Sequence, residues 1–106
     1  MADHDAMMAR FVHDYLELLD HRVSSIRSHL DQRNFMTAHV ALLSLESTSA
    51  MVGASALAGA AGRLREAVEQ GDRDTVPALL ADVTVEAGRA RSALAEVSAG
   101  AAPEAR

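Results

Sequence analysis

The chain has 106 residues, no cysteine and a formal net charge of −5. A chain of this length builds one small domain around a single core. The absence of cysteine excludes a disulfide framework, a thiolate metal site and a cysteine nucleophile. The chain has no lysine, and its ten arginines are scattered along the sequence. Because they form no continuous stripe that could neutralise successive phosphates, we expect no nucleic-acid partner.

The apolar residues favour helices. Hydrophobic residues make up 49% of the chain but aromatic residues only 3%, a composition suited to closely packed helices rather than to sheets. No apolar run approaches the ~20 residues of a membrane span. The first residues are acidic, where a secretory signal would be basic. We therefore expect an all-α protein with no membrane association and a cytoplasmic location.

A long first helix is predicted from Asp5 to Leu30, where apolar residues recur at steps of three and four. Its stripe consists of Met8, Phe11, Val12, Tyr15, Leu16, Leu19, Val23, Ile26 and Leu30. The polar pair Asp20 and His21 leaves open a break that would divide this helix in two. Residues 31–34 then form a polar connection.

A second helix is predicted from Phe35 to Met51. Asn34 is its predicted N-cap, because an asparagine side-chain oxygen can accept hydrogen bonds from the first unpaired backbone amides of a helix. Gly53 interrupts the pattern, so the turn into the next helix must be tight.

A third helix follows, with Ser55 as its predicted cap and Gly71 as its predicted C-terminal stop. Its apolar and small positions are Leu57, Ala58, Ala61, Leu64 and Val68. Asp72 or Asp74 is the predicted cap of a fourth helix, which tolerates Pro77 in its first turn. The predicted buried stripe of that helix is Val76, Leu79, Leu80, Val83, Val85, Ala90 and Leu94.

Four amphipathic helices joined by short connections predict an antiparallel four-helix bundle, in which each helix buries one stripe against the others. We assign residues 1–98 to this bundle. Residues 99–106 are small, include a proline and show no periodicity, so we predict a disordered C-terminal tail.

Residues 42–54, LLSLESTSAMVGA, resemble the signature of the histidine phosphotransfer (HPt) family. That motif reads roughly His-x-Leu-Lys-Gly, followed by small residues and a Leu-Gly-Ala turn. In this register Leu43 stands at the position of the phosphorylated histidine, Glu46 at that of the lysine and Ser47 at that of the glycine. The positions that keep their expected types are Leu45, Ala50, Gly53 and Ala54. The resemblance covers roughly residues 11–94 and implies the same four-helix bundle.

The resemblance also implies what is missing. In the family, an exposed imidazole attacks an aspartyl-phosphate, lysine offsets the phosphoryl charge and glycine leaves room for the incoming group. Leu43 has no nucleophile, Glu46 would repel a phosphoryl group, and Ser47 fills some of the space. We therefore expect a degenerate member that transfers no phosphate at this position, is not an enzyme and needs no cofactor.

Helical geometry, at about 100° per residue, gives the orientation of Leu43 without use of the family. The predicted inward stripe of the second helix is Ala38, Ala41, Leu45, Thr48 and Val52. Leu43 falls on the opposite, outward side. Its neighbours on that side are Met36, His39, Glu46, Ser47 and Ala50, since residues three and four apart share a face.

An outward apolar strip on a small bundle often marks a place where another protein docks. Met36, Leu43 and Ala50 form such a strip, and His39 and Glu46 could set the register of a partner at its rim. With the family resemblance, this predicts binding to a response-regulator receiver domain or a histidine kinase in a two-component phosphorelay. A structural domain that associates with itself as a homodimer is an alternative from another class.

A second alternative is an active phosphotransfer protein that uses His39, one turn before Leu43. Against it, the residue one turn further on is a bulky leucine where the family has glycine, and the chain contains no lysine. The competing interpretation is an ordinary solvated histidine.

Other polar clusters have simpler interpretations. The histidines His13, His21 and His29 are spaced by eight, so they do not converge on one ion, and we expect no metal site. A hydroxyl cluster is interpreted as packing and local hydrogen bonds, and an acidic run as a solvated helix end. The hydroxyl cluster is Ser44, Ser47, Thr48 and Ser49, and the acidic run is Glu66, Glu69, Asp72 and Asp74.

Overall fold

The computed structural model describes the backbone of residues 2–101 and the side chains of residues 6–96. Its helices are α1 (Ala2–Asp31), α2 (Phe35–Met51), α3 (Ser55–Gln70) and α4 (Val76–Ala101). The described residues contain no strand, and none of their helices is long and apolar enough to cross a membrane. The predicted all-α four-helix bundle is confirmed.

Each helix packs against two others. α1 contacts α2 and α4, and α3 also contacts α2 and α4, so the four helices form a ring. Between α1 and α2, Tyr15 bonds Ser49 at 2.7 Å and Arg22 bonds Ser44 at 3.0 Å. Residue numbers that increase along α1 are thus paired with residue numbers that decrease along α2, so these two helices are antiparallel. The matching pairs between α1 and α4 are Asp20 with Arg91 and Arg27 with Thr84.

α1 is continuous over 30 residues, so the predicted break at Asp20 and His21 is wrong. Both residues are exposed, so the polar pair does not interrupt the buried stripe, which continues from Leu19 to Val23 one turn on. At the other terminus α4 continues to Ala101, which brings residues 99–101 of the predicted tail into a helix. The rest of that tail, residues 102–106, lies outside the described residues.

The core is built from large aliphatic side chains on all four helices. Those with under 2% exposure are Leu19, Ile26, Leu42, Leu45, Leu57, Leu64 and Val83. Each such burial stabilises the fold by about 1.5–3 kcal/mol before the entropy of ordering is counted. Two predicted core positions are wrong. Val85 is half exposed because it lies two residues from the buried Val83 and Ala87, on the other side of α4, and Met8 is exposed where α1 extends past the end of α2.

α2 and α3 end at the glycines that the sequence indicates. Gly53 and Gly71 both have positive φ, at 81° and 71°, and each closes a helix with paired backbone bonds of the Schellman type. Asn34 occupies the N-cap position of α2, but its side chain donates to Gln32 and makes no capping bond. The predicted cap at Ser55 is wrong because Ala54 is the N-cap of α3 and Ser55 is already helical.

Candidate protein-binding face on α2

The outer side of α2 is apolar and open to solvent. Met36 is 83% exposed, Val40 61% and Leu43 46%, and Ser47 is exposed beyond them. These four positions follow steps of four, three and four, the spacing of one helical face. Leu43 therefore points outward, as the helical geometry predicts. We call Met36, Val40, Leu43 and Ser47 the outer stripe.

α2 has an unusual shortage of charge. Glu46 is its single Asp, Glu or Arg residue in 17 positions, and His39 is its single histidine. A helix on the surface of a small bundle normally has a charged or polar side facing water. A helix that is apolar on both sides is normally covered on both sides, so the outer stripe has the composition of a contact surface.

An ion-pair chain crosses from α2 to α3 beside the outer stripe. The guanidinium of Arg65 donates to both carboxylate oxygens of Glu46, from Nε at 2.7 Å and from Nη2 at 3.4 Å. Its Nη1 donates to Glu69 at 3.0 Å, and the same Glu69 oxygen lies 2.5 Å from Nε2 of His39. We call these four residues the α2–α3 ion-pair chain.

These contacts change the titration of two of the groups. The hydrogen bond from His39 lowers the pKa of Glu69 below its usual value, and the hydrogen bond and charge of Arg65 lower it further. The hydrogen bond to Glu46 raises the pKa of Arg65. Glu69 therefore stays ionised to lower pH than a free carboxyl. It is exposed near the C-terminal end of α3, as the predicted solvated acidic helix end requires, but it is also paired with Arg65 and His39.

Gly62 makes room for the Glu46 carboxylate. Gly62 is buried on α3, and a Cβ built on it would stand 2.7 Å from Oε2 of Glu46. A contact that short does not occur between real Cβ atoms and oxygen, so an alanine here would push the carboxylate away from Arg65. The glycine thus positions Glu46 over α3 rather than free in solvent.

The site offers little phosphoryl chemistry. Leu43 has no nucleophilic atom, and Glu46, one turn on, is negatively charged. Nε2 of His39 lies 2.5 Å from a carboxylate oxygen of Glu69, so this nitrogen is engaged by a hydrogen bond within the ion-pair chain. His39 is partly buried and bonded to Glu69, so it differs from the isolated surface histidine of the competing interpretation.

An open groove lies at the N-terminal end of the outer stripe. Its volume is about 350 Å³, and its lining consists of Phe35, Met36, His39, Val68 and Glu69. Apolar side chains from both helices form most of it. The groove extends the accessible apolar surface from α2 toward α3.

The remaining predicted site residues differ in their exposure to solvent. Ser47 and Ala50 are exposed, whereas Glu46 is partly buried within the ion-pair chain. In the hydroxyl cluster, Thr48 bonds back to the carbonyl of Ser44 at 2.9 Å, as predicted for local hydrogen bonding. Ser49 differs, because it is fully buried and bonds Tyr15 on another helix.

The structure does not bring His13, His21 and His29 together. Among the described residues, the group with metal-ligand spacing is His13, Asp14 and Glu17, all exposed on α1. His13 lies 3.2 Å from Glu17 in an ordinary i,i+4 pair. Exposed clusters of this kind are common on helices without an ion.

Sequence reasoning missed Val40, Arg65 and Gly62. Val40 could have been found, since it lies four residues after Met36 and three before Leu43. Arg65 and Gly62 could not be found in this way, because their part in the site depends on how α2 pairs with α3. The turn at Gly53 sets that pairing and brings residue 46 level with residue 62. Arg65 places a cation beside His39 and Glu46 although the chain contains no lysine.

No protein-family model, curated protein or solved structure matches the chain.

Proposed function

We propose that this protein is a degenerate HPt-like module of two-component phosphorelay signalling, which binds a receiver domain or a histidine kinase through the outer stripe of α2 without carrying phosphate. The observation that carries the proposal is the outward position of Leu43, 46% exposed at the centre of an apolar stripe. In the sequence register of the HPt motif, this is the position of the acceptor histidine.

The physical support is the cost of leaving such a surface in water. Burying apolar area contributes about 25 cal/mol per Å², so covering Met36, Val40 and Leu43 favours association. Methionine adapts its shape to a partner, and leucine and valine add little conformational entropy cost. These residues form the apolar centre of the proposed interface.

The α2–α3 ion-pair chain supplies the rim. Arg65 is held by two carboxylates and is only 19% exposed at its side chain, so it is restrained before a partner arrives. Charges at an interface rim contribute mostly to orientation and association rate, because water still screens them. The chain beside the outer stripe is suited to set the register of a partner.

Phosphotransfer through His39 is the first alternative, and the geometry disfavours it. Its Nε2 is engaged by Glu69, and Glu46 adds a second negative charge nearby. An incoming phosphoryl group would have to break the His39–Glu69 pair and approach two carboxylates. Self-association is the second alternative, since the four-three-four spacing of the outer stripe also suits pairing with another helix.

Calorimetric titration tests the proposal. Purified receiver domains and kinase dimerisation domains from the same genome are titrated with the parent chain, with Leu43→Asp and with Val85→Asp. Val85 is the matched control, because it is 51% exposed and lies on α4, which does not contact α2. We expect binding that Leu43→Asp abolishes and Val85→Asp leaves unchanged.

Four outcomes would contradict the proposal. One is the absence of heat with every domain tested, and another is equal binding by Leu43→Asp. The third is phosphorylation of the parent after incubation with phosphorylated receiver, lost in His39→Ala, which would establish the phosphotransfer alternative. Sedimentation that depends on concentration, and becomes monomeric in Leu43→Asp, would establish self-association.

A further inference from the structure

A second groove lies at the end of the bundle where α1 joins α2 and α3 joins α4. It has a volume of about 260 Å³, and Leu30, Phe35, Val76 and Leu80 supply apolar lining. Arg33 and Arg73 also line it, together with the single acidic residue Asp31. An apolar groove with a net positive charge is therefore present at this end of the bundle, where it shares Phe35 with the groove beside the outer stripe.

Arg33 holds a backbone conformation that its side chain disfavours. Three helices end with the same pair of backbone bonds, in which the residue after the helix has positive φ. Gly53 and Gly71 occupy that position in two of them, and Arg33, at φ 62°, occupies it in the third. A left-handed conformation is strained for a residue with a Cβ and is free of strain for glycine.

The arginine at this position is therefore not explained by the helix end, which a glycine would close better. Within residues 6–96, neither Arg33 nor Arg73 has a carboxylate within salt-bridge distance, although the chain has more acidic than basic residues. Arg73 instead lies over the ring of Phe35, 4.5 Å from its centroid. Both guanidinium groups thus have hydrogen-bond donors that no carboxylate of residues 6–96 occupies.

We propose that this groove binds a small amphiphilic carboxylate, with the apolar chain against Leu30, Val76 and Leu80 and the carboxylate between Arg33 and Arg73. Guanidinium groups bind carboxylates with charge-assisted and often paired hydrogen bonds. The apolar lining selects a ligand with a hydrocarbon chain over a free inorganic anion. Strain at a single residue is commonly kept where a side chain serves a site.

Octanoate is a suitable probe, because it has one carboxylate and a short hydrocarbon chain. We expect calorimetry at neutral pH to give a Kd below about 1 mM for octanoate. 1-Octanol, which lacks the charge, and acetate, which lacks the chain, should each bind at least about tenfold more weakly. In ¹⁵N NMR spectra, octanoate should shift the amides of Phe35 and Val76.

Two substitutions of Arg33 separate a ligand role from a structural one. Arg33→Gly should raise the unfolding temperature, because it relieves the left-handed strain, and should weaken octanoate binding about tenfold. Arg33→Asn removes the charge while keeping a residue that tolerates positive φ, and should weaken binding equally. Arg63→Ala, on the exposed side of α3 and outside the groove, should change neither property.

The proposal is overturned if the parent protein shows no octanoate binding at a concentration of about 10 mM, ten times the expected upper limit of Kd. It is also overturned if 1-octanol binds as tightly as octanoate. Unchanged octanoate binding in Arg33→Asn would also overturn it. A fall in the unfolding temperature of Arg33→Gly would show that Arg33 is kept for stability rather than for a ligand.

Discussion

The two sides of α2 follow the same spacing but meet different surroundings. On the inner side Ala38, Leu42, Leu45 and Ser49 are fully buried, and on the outer side the outer stripe is exposed. Each set advances by four, three and four residues, and the two are offset by two positions, about 200° around the helix. The inner side is covered by the bundle, and the outer side has nearly the same apolar character without a cover. Folding therefore uses only the inner side of α2, and the proposed function assigns the outer side to a partner.

Replacing one leucine on each side of α2 by alanine should give the largest difference in the free energy of unfolding between the two sides. Leu45 has no exposed area, so Leu45→Ala should lower the free energy of unfolding by about 2–5 kcal/mol through lost burial and a cavity. Leu43→Ala should lower it by less than about 1 kcal/mol, because half of that side chain is already in water. Urea unfolding followed by circular dichroism measures both. Equal losses would mean that Leu43 belongs to the core.

The buried polar pair on the inner side should give the next largest effect. Tyr15 and Ser49 bond each other away from water, and burial raises the pKa of the Tyr15 hydroxyl while the Ser49 bond lowers it. Ser49→Ala leaves the Tyr15 hydroxyl unpaired and should cost about 1–3 kcal/mol. The double variant Tyr15→Phe with Ser49→Ala should recover part of that loss, since both polar groups are gone. A double-mutant cycle by urea unfolding measures the coupling, and strictly additive losses would contradict the paired role.

At the edge of the outer side, Gly62 and Glu46 should be coupled. In a Glu46→Ala background, Gly62→Ala should stabilise the protein by about 0.5–1 kcal/mol, because alanine favours the helix and nothing crowds its methyl group. In the parent, the Cβ collides with the Glu46 carboxylate and should cancel some or all of this gain. Thermal unfolding of the four variants tests the difference. The same gain in both backgrounds would mean that Glu46 does not rest on Gly62.

The smallest expected effect is the pH dependence of the stability that the α2–α3 ion-pair chain contributes. Because the folded-state pKa of Glu69 is lowered, its contribution to stability is present above the usual pKa of a glutamate, 4.5, and is lost as the pH falls through the lower folded value. The stability difference between the parent and Glu69→Gln should therefore shrink as the pH falls from 6 to about 3. Unfolding at several pH values checks it. A difference that stays constant with pH would show that the carboxylate of Glu69 gains nothing from His39 and Arg65.

Local signals in the sequence predicted most of the fold. The apolar periodicity located four helices, and Gly53 and Gly71 located two of their ends, because glycine is favoured wherever a helix closes with positive φ. The end at Arg33 was not predictable in this way, since arginine carries no such preference. The buried position of Ser49 was missed because a hydroxyl is buried only when a partner such as Tyr15 arrives from another helix.

The candidate site was predictable only along α2. Met36 and Leu43 are fixed by the period of their own helix, so the sequence alone orients them. Arg65 and Gly62 join the site through the pairing of α2 with α3, which no pattern within one helix specifies. The sequence therefore predicts a stripe, and the structure adds the charged rim.

The most direct test of the binding surface is an NMR titration of the ¹⁵N-labelled chain with a receiver or kinase domain that gives heat in the calorimetric screen. Amide shifts map the contact without any substitution, so they do not depend on how a variant folds. We predict that the largest shifts fall on α2 around Val40 and Leu43 and on α3 around Arg65, with α4 around Val85 unchanged. Shifts that instead cluster on the exposed sides of α1 and α4 would contradict the assignment of the outer stripe as the binding surface.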